Sequence, residues 1–358
     1  MKERHFFAGN NTAKGFYSYF DSIINLEEAE HYYILKGGPG VGKSSFMKNF
    51  ASHMSSAGHS IEYVHCSGDK DSFDAIVIPE LKIAFVDGTA PHTIDPKYPG
   101  AVDEIINLGY FFDSRQISKH KEEVIRTSKA KSLLYKSAYR YLDAARLIQE
   151  EIQTVYDSLT DTLLFQNLCK EMKDELFREG EGNEKCSGQS GRIRKLFSES
   201  YTTDGYISYT DSLCTGMKVW TILGENINYT AKLLEELRKE ATKNGFDTEC
   251  FYRPLTPEKL QHVFLPKLNL MIRSEEKEKG IASDKTIDLG YLMDAKKLET
   301  HSPEILEKTK LFDSLIDLAL EKLSETKKLH GSLENIYVGS MDFDGVNKYF
   351  NTILARYE

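Results

Sequence analysis

A glycine-rich stretch that ends in lysine and serine has the clearest chemical potential in this sequence. Residues 37–44 read GGPGVGKS and match the spacing GxxxxGK[ST]. Glycines let the backbone turn tightly and point successive N–H groups at phosphate oxygens, with no Cβ in the way. A glycine-rich turn with a chance lysine is the alternative. The pattern predicts a nucleotide-binding loop made of Gly37, Gly38, Pro39, Gly40, Val41, Gly42, Lys43, Ser44 and Ser45.

Two side chains of this loop have distinct expected roles. Lys43 is expected to reach the β- and γ-phosphates, and the Ser44 hydroxyl is expected to ligate Mg²⁺. The helix predicted to begin near Lys43 directs its positive dipole end at the same phosphates. The expected ligands are therefore a nucleoside triphosphate and Mg²⁺.

A carboxylate on the metal side of such a loop is expected at the end of a neighbouring strand. Residues 81–88 read LKIAFVDG, so the apolar run 83–86 predicts a strand with Asp87 at its end. Asp87 is predicted to hold Mg²⁺ together with Ser44, and to act with Lys43 in catalysis. An ordinary Asp-Gly turn after a strand is the alternative interpretation.

The chain also repeats itself. Residues 4–24 and 194–214 are identical at eight of 21 positions, where roughly one identity is expected from average composition. After a three-residue adjustment Gly37 aligns with Gly224, and further along NLGYFFD (107–113) aligns with DLGYLMD (288–294). The sequence is therefore a tandem duplication with roughly 180 residues per copy.

The second copy has lost the residues that bind phosphate. Its loop, residues 224–231, reads GENINYTA. Isoleucine and tyrosine resist the positive φ angles that glycine permits and would crowd a phosphate. We therefore expect a pseudo-NTPase domain there. The replacements are Gly40 by Ile227, Gly42 by Tyr229, Lys43 by Thr230, Ser44 by Ala231 and Asp87 by Ser274.

Polar residues that occur only in the first copy are candidates for substrate or γ-phosphate chemistry. The predicted loop 65–74 aligns with unrelated residues in the second copy, and residues 87–95 have no counterpart there. Solvated turns and caps are the alternative. His65 and Cys66 have no further metal ligands at useful spacing. The candidates are His65, Cys66, Asp69, Asp74, His92 and Asp95.

The surrounding pattern predicts the elements that position these residues. An apolar run at 32–35 predicts the strand before the loop, and further strands are expected at 60–65 and 82–86. Residues 15–24 are expected to be helical, and 114–179, which contain no glycine or proline, predict long helices with a break near 157–161. The predicted fold class is α/β: a P-loop NTPase fold in tandem duplication, each copy a parallel-sheet domain with a helical extension.

The predicted domain organisation follows from the repeat. Residues 1–115 form the active core and 116–179 its helical extension, whereas 180–191, which are rich in glycine and serine, form a linker. Residues 192–295 form the degenerate core and 296–358 its extension. The two copies are expected to pack against each other.

Composition limits the partners. The net charge of −9 argues against a general nucleic-acid or anionic-membrane binder. Five scattered cysteines without CxxC spacing fit reduced thiols, and neither a leader segment nor a membrane-length apolar run is evident. A cytoplasmic protein with no membrane partner is expected. Basic residues cluster at 119–140, either as a solvated helix face or as a docking surface for a partner.

Several motifs together resemble one family. They are RHFFAGNNTAKGFYSYFDSI, ILKGGPGVGKSS, IPELKIAFVDGTAPH and DPKYPGAVDEIINLG, in that order. The sequence resembles, over nearly its whole length, a poorly characterised family described only as ATPases and built from two tandem P-loop halves. The resemblance implies the P-loop NTPase fold, a nucleotide site at Gly37–Ser44 and ATP as the nucleotide. The second half commonly resembles an intact P-loop in that family, and this sequence departs from it there.

Three functions remain open at this level. The leading one is an ATP-binding protein that hydrolyses Mg-ATP, although Gly88 stands where many ATPases carry a water-polarising glutamate. Asp74, His92 or Asp95 would then have to position water, and Arg253 or Arg273 is a guess for an arginine finger. The second is a kinase for a small molecule held near residues 69–74. The third is a nucleotide-sensing scaffold without turnover.

Overall fold

A computed structural model describes residues 3–179, 190–277 and 282–357 of the chain. Most of the expected linker, residues 180–189, lies outside them. The chain divides into two compact units. The first comprises Met1–Arg140, Glu199–Tyr209 and Leu318–Glu358, and the second comprises Tyr141–Ser198 and Thr210–Asp317. Each unit therefore combines the sheet of one copy with late helical segments of the other copy.

The first copy begins with strands and ends in helices. Its strands are β1 (Glu3–Phe6), β2 (Gly9–Thr12), β3 (Gly15–Ser18), β4 (His31–Lys36), β5 (Ile61–Cys66), β6 (Asp69–Ile78), β7 (Ile83–Asp87) and β8 (Asp103–Asn107). Its helices are α1 (Lys43–Ser56), α2 (Ser114–Lys119), α3 (Lys121–Leu159) and α4 (Thr162–Glu179). A 3₁₀ turn at Leu108–Phe111 (the 108–111 turn) follows β8.

The six-stranded sheet of the first unit has the order β1-β5-β6-β7-β4-β8. Strand β6 is antiparallel to both neighbours, and the other pairings are parallel. The sheet is therefore mostly parallel, as predicted, but it contains one antiparallel strand that the sequence did not indicate. The reason lies at residues 65–74, which were expected to be a loop. Only two residues separate β5 from β6, and so short a connection can join only antiparallel strands.

The prediction of a helix at residues 15–24 was wrong. Gly15–Ser18 pairs with Gly9–Thr12 as an antiparallel hairpin, followed by a 3₁₀ turn at Phe20–Ser22. The hairpin turn is held by Thr12, whose hydroxyl donates to Gly15 O at 2.8 Å and accepts from Lys14 N at 3.0 Å. Gly15 has φ +93°, which favours glycine. The aromatic residues of this stretch therefore belong to a β-strand, in which aromatic side chains are common.

The second copy repeats the same plan. Its strands are β9 (Ile193–Leu196), β10 (Glu199–Thr202), β11 (Gly205–Ser208), β12 (Lys218–Leu223), β13 (Thr248–Tyr252), β14 (Leu260–Leu265), β15 (Leu270–Glu275) and β16 (Lys285–Asp288). Its helices are α5 (Thr210–Leu213), α6 (Ile227–Lys243), α7 (Ala295–Val338) and α8 (Phe343–Leu354). The sheet order is β16-β12-β15-β14-β13-β9, which matches the first sheet strand for strand. The predicted duplication is confirmed.

Each core is completed by a helix from the other copy. In the first unit Val346 and Ile353 of α8 pack with Phe46, Phe50 and Phe85. The second unit places apolar residues of α4 against those of α6 and the sheet around the fully buried Trp220. The break expected at 157–161 is confirmed, because α3 ends at Leu159 and α4 begins at Thr162. Across the described residues, we find no helix with the length and apolarity needed to cross a membrane.

Candidate functional site

The glycine loop (residues 37–42) joins β4 to α1 in the first unit. Three of its glycines have positive φ: Gly37 at +145°, Gly40 at +70° and Gly42 at +95°. L-residues with a side chain rarely adopt these angles, so the loop's path depends on glycine. Gly42 occupies the position that precedes the first turn of α1, and no side chain caps the helix there. The described residues thus leave this helix N-terminus without a side-chain cap.

Lys43 begins α1 and turns back over the glycine loop. Its Nζ donates to the carbonyl oxygens of Gly37 at 3.1 Å and Gly38 at 2.9 Å. The same Nζ lies 3.6 Å from Asp87 Oδ2. The sequence-predicted lysine and acid are therefore neighbours, at the same edge of the sheet as the loop.

Asp87 is held by the loop that follows β7. Its Oδ1 accepts from the main-chain N of Thr89 at 2.9 Å and from the Thr89 hydroxyl at 2.5 Å. These bonds orient the carboxylate and leave Oδ2 towards Lys43. Strand β7 pairs directly with β4, with Asp87 opposite Leu35. The acid thus stands one strand away from the strand that leads into the loop.

The two serines after Lys43 are placed differently. The Ser44 hydroxyl oxygen accepts from Phe73 N at 3.2 Å, which ties the start of α1 to strand β6. Ser45 is exposed on the first turn of α1. Both remain candidates for phosphate or metal contacts, because they lie on the uncapped turn of the helix.

Of the first-copy polar candidates, Asp74 and His92 form a buried pair. His92 Nε2 lies 3.3 Å from Asp74 Oδ1, and both side chains are more than nine-tenths buried. Burial lowers the pKa of His92, but the Asp74 carboxylate outweighs it and the net pKa is raised. Asp74 Oδ2 and His92 Nδ1 have no hydrogen-bond partner among the described residues. The pair can accept or orient a further polar group.

The remaining candidates lie elsewhere. The Asp95 side chain is exposed, 3.8 Å from Lys36. Asp69 Oδ2 accepts from the Ser72 hydroxyl within the β6 strand. The ring of His65 bonds to His5 at 2.9 Å, a contact that the sequence did not indicate. Cys66 is a free thiol, and burial raises its pKa.

Residues of the far C-terminal segment cover the glycine loop, and sequence reasoning missed them. A Cβ at position 38 would lie 2.5 Å from Tyr337 Cε1, and one at position 40 would lie 2.9 Å from Val338 Cγ2. The end of α7 is therefore packed so closely on the loop that only glycine fits. The repeat also aligns Tyr156 with Tyr337, but nothing in this alignment indicated that the tyrosine covers the loop of the other copy.

The second loop (residues 224–229) differs in its backbone. None of these residues has a positive φ. Asn226 caps α6, because its Oδ1 accepts from the main-chain N of Asn228 at 3.1 Å and of Tyr229 at 3.2 Å. Gln153 of α3 adds a further bond, since its Oε1 accepts from Ile227 N at 2.8 Å. Amides that correspond to those of residues 40–42 in the first copy are thus bonded to protein side chains.

In the second unit an arginine contacts the residue that corresponds to Asp87. Arg253, which aligns with Cys66, donates from Nη2 to Ser274 Oγ at 3.2 Å, and Ser274 aligns with Asp87. Arg273 is likewise buried and donates to the Thr221 hydroxyl at 3.1 Å. Both guanidinium groups considered as arginine fingers are therefore engaged in internal bonds of the second unit.

The donors in the first unit suit a magnesium ion that is shared with a phosphate ligand. Mg²⁺ in nucleotide sites takes one or two protein oxygens together with phosphate oxygens and water. Here the Ser44 hydroxyl and the Asp87 carboxylate supply such oxygens. Within the described ranges, no group of three or more His, Cys, Asp or Glu side chains is arranged to hold a metal. The described residues therefore fit a Mg²⁺ ion that is coordinated partly by phosphate oxygens better than one that is coordinated by protein side chains alone.

The chain was compared with protein-family models, with curated proteins and with solved structures, and none of the three comparisons gave a match. The interpretation of the site therefore depends on its own geometry and on the contrast between the two copies.

Proposed function

We propose that the first unit has a P-loop NTPase fold, binds a Mg-nucleoside triphosphate in the glycine loop and hydrolyses it, with ATP as the nucleotide. The loop amides and Lys43 hold the phosphates, whereas Ser44 and Asp87 hold Mg²⁺. Bound Mg²⁺ supplies charge neutralisation between the β- and γ-phosphates. The second copy binds no nucleotide.

The contrast between the two loops carries this proposal. The first loop has positive-φ glycines, an uncapped helix start and a lysine beside a carboxylate. In the second loop these features are absent, and Asn226 and Gln153 occupy the equivalent amides. A loop that serves only as a connection gains nothing from a helix start without a side-chain cap, since such a cap stabilises a helix by roughly a few tenths of a kcal/mol relative to glycine. The uncapped geometry is explained if a phosphate provides the missing acceptors.

The test compares the wild-type chain with Lys43→Ala in binding and turnover of Mg-ATP and Mg-GTP without any acceptor. Lys48→Ala is the matched control, because Lys48 is an exposed lysine on the same helix. Lys43→Ala should weaken binding and lower turnover by about 100-fold or more, as expected for a group that stabilises transition-state charge. The control should stay within about twofold of wild type. If wild type binds neither nucleotide at millimolar concentration, the proposal is wrong.

A small-molecule kinase is the second candidate function. The observation that favours it is the buried Asp74–His92 pair, whose Asp74 Oδ2 and His92 Nδ1 have no partner among the described residues. An acceptor whose hydroxyl reached either of these buried atoms would supply the missing hydrogen bond. ADP formation that depends on an added hydroxyl compound would support the kinase. Phosphate release in buffer alone supports hydrolysis, and tight binding without turnover supports a nucleotide sensor.

A further inference from the structure

The glycine loop has a different strand on each side. Strand β4, which leads into the loop, lies between β7 and β8. Strand β7 ends in Asp87, the acid of the metal side. A Mg²⁺ ion held by Asp87 and shared with a bound triphosphate would draw the γ-phosphate end towards β7, and the nucleoside would then lie on the side of β8.

On that side the chain places the start of α8. Main-chain bonds join the two segments, from Asp342 N to Phe111 O at 2.7 Å and from Asp113 N to Ser340 O at 2.8 Å. A Cβ at position 345 would lie 2.8 Å from the Phe111 ring, so the first turn of α8 sits directly on the 108–111 turn. The position of this helix start relative to the glycine loop is therefore well defined.

Phe343, the first residue of α8, faces the last glycine of the loop. A Cβ at Gly42 would lie 3.8 Å from Phe343 Cε1, an ordinary van der Waals distance. Phe343 is 39% exposed, and it does not belong to the described apolar residues packed on the core of the first unit. The fold therefore does not require an aromatic ring at this position.

In the second unit a side chain fills the corresponding place. Position 343 corresponds to Thr162, the first residue of α4, and Gly42 corresponds to Tyr229. The Thr162 hydroxyl lies 3.3 Å from the Tyr229 hydroxyl, and the tyrosine ring is buried. The first unit has the reverse arrangement, because the aromatic ring of Phe343 is on helix α8 and the loop position is Gly42, which has no side chain. A flat ligand group can enter the space beside Phe343 that a tyrosine ring fills in the other copy.

We propose that Phe343 stacks on the base of the bound nucleotide, so that the site accepts purine nucleoside triphosphates by stacking rather than by reading base edges. This inference rests on the proposed function. Aromatic rings bind the π-face that every base has, and such stacking is tolerant of base identity. ATP and GTP therefore bind with similar affinity, and the C-terminal segment of the chain contributes to nucleotide affinity.

Inorganic tripolyphosphate separates the base from the phosphates. The binding of Mg-ATP, Mg-GTP and Mg-tripolyphosphate is measured by calorimetry on the full chain and on Phe343→Ala, Phe343→Tyr and Tyr110→Ala. Phe343→Ala should weaken ATP and GTP by about 10- to 100-fold and leave tripolyphosphate within about twofold. Phe343→Tyr should restore nucleotide affinity. Tyr110→Ala is the control, because this exposed tyrosine near the loop is kept as exposed Tyr291 in the degenerate copy.

Each other outcome has a definite meaning. Equal losses for ATP and tripolyphosphate in Phe343→Ala would show that the ring shapes the loop, and would overturn the inference. An unchanged ATP affinity in that variant overturns it as well, and a wild type that binds ATP but not GTP overturns base tolerance. If wild type binds neither ATP nor tripolyphosphate, the proposed function itself fails. If wild type binds tripolyphosphate as tightly as ATP and GTP, the phosphate site is supported and only base stacking is rejected.

A fluorescence measurement gives an independent readout. The only native tryptophan, Trp220, is fully buried in the second unit. Phe343→Trp therefore adds one exposed indole at the loop. ATP and GTP should quench the added emission, whereas tripolyphosphate should not. Quenching by tripolyphosphate to the same extent as by ATP contradicts base stacking.

Discussion

Lys43 Nζ lies 3.6 Å from Asp87 Oδ2, and both side chains are largely buried, with 11% and 17% exposure. Two residues 44 positions apart in the sequence (87 − 43) are thus brought together by the parallel pairing of β4 with β7. In the proposed complex the lysine turns to phosphate oxygens and the carboxylate to Mg²⁺, so each exchanges one oppositely charged partner for another.

Asp87→Asn should raise the Mg²⁺ concentration needed for nucleotide binding. An amide oxygen lacks the charge that attracts the cation, so we expect the half-saturating Mg²⁺ concentration to rise by about tenfold or more. Calorimetric titration of ATP at a series of Mg²⁺ concentrations measures this. Asp95→Asn is the matched control, since it makes the same chemical change at an aspartate whose side chain is 88% exposed. An unchanged Mg²⁺ requirement in Asp87→Asn would remove Asp87 from the metal side.

Gly42→Ala should separate a local strain effect from a binding effect. Gly42 has φ +95° and Gly58, just beyond the end of α1, has φ +97°. A Cβ at Gly42 meets nothing closer than 3.8 Å, and one at Gly58 meets nothing within 4 Å. Both alanine variants should therefore lose a similar 1–2 kcal/mol of unfolding free energy, roughly the cost of the left-handed region for a residue with a side chain.

Only Gly42→Ala should also weaken ATP. Its Cβ stands beside Phe343 in the space assigned to the ligand, whereas Gly58 lies at the opposite end of the helix. Denaturant unfolding gives the stability of both variants, and calorimetry gives the affinity. Equal ATP affinity in the two variants would place the nucleotide away from Gly42.

The sequence was sufficient for those parts of the site that depend on local pattern. A strand, a glycine loop and a helix follow each other within residues 31–56, and each has its own local signal. Asp87 was predicted because a strand end is also a local feature. The repeat predicted that Ser274 corresponds to Asp87, and both occupy the same register against β12 and β4.

The exchange of helices between the copies could not be predicted in the same way. The apolar face of α8 indicates that the helix packs on a sheet, but both sheets have the same strand order and similar apolar faces. Which sheet it covers depends on long-range packing and on chain connections, which leave no local pattern. Tyr337, Val338 and Phe343 were missed for this reason, since they lie about 300 residues after the glycine loop.

Gln153→Ala should destabilise the second unit. Gln153 is 4% exposed, accepts from Ile227 N at 2.8 Å and donates from Nε2 to Glu225 O at 3.2 Å. Its truncation leaves a buried amide without an acceptor, which costs about 1–3 kcal/mol. Denaturant unfolding measures the loss, and hydrogen exchange should rise at the amides of residues 225–230.

Glu151→Ala serves as the control for Gln153→Ala, because Glu151 is exposed on the same helix and its ion pair with Lys308 lies at the surface. Its removal should change stability by about 0.5 kcal/mol or less. A Gln153→Ala variant as stable as this control would mean that solvent replaces the lost acceptor. Water would then be able to reach the Ile227 amide of the second loop.

His65 should make the protein less stable in mild acid. Burial, with help from neighbouring His5 and Lys48, lowers the pKa of His65 to about 4. The ring lies between His5 Nδ1 at 2.9 Å and the Tyr209 hydroxyl at 3.1 Å, so the neutral form is the one that the folded unit holds. The unfolded chain takes up a proton near pH 6.5, whereas the folded chain does so only near pH 4. Stability is therefore complete above about pH 6.5 and falls progressively as the pH drops towards 4.

The contribution of this one group is at most about 3.5 kcal/mol, because the pKa falls from 6.5 to about 4 and each pKa unit corresponds to about 1.4 kcal/mol. Unfolding free energies at pH 7.5 and pH 5 measure it. His65→Gln keeps polar atoms in place without a titrating ring, so it should reduce the loss between the two pH values. His53→Gln, which removes an exposed histidine of α1, should keep the wild-type loss. If both variants lose as much as wild type, the acid sensitivity arises from groups other than His65.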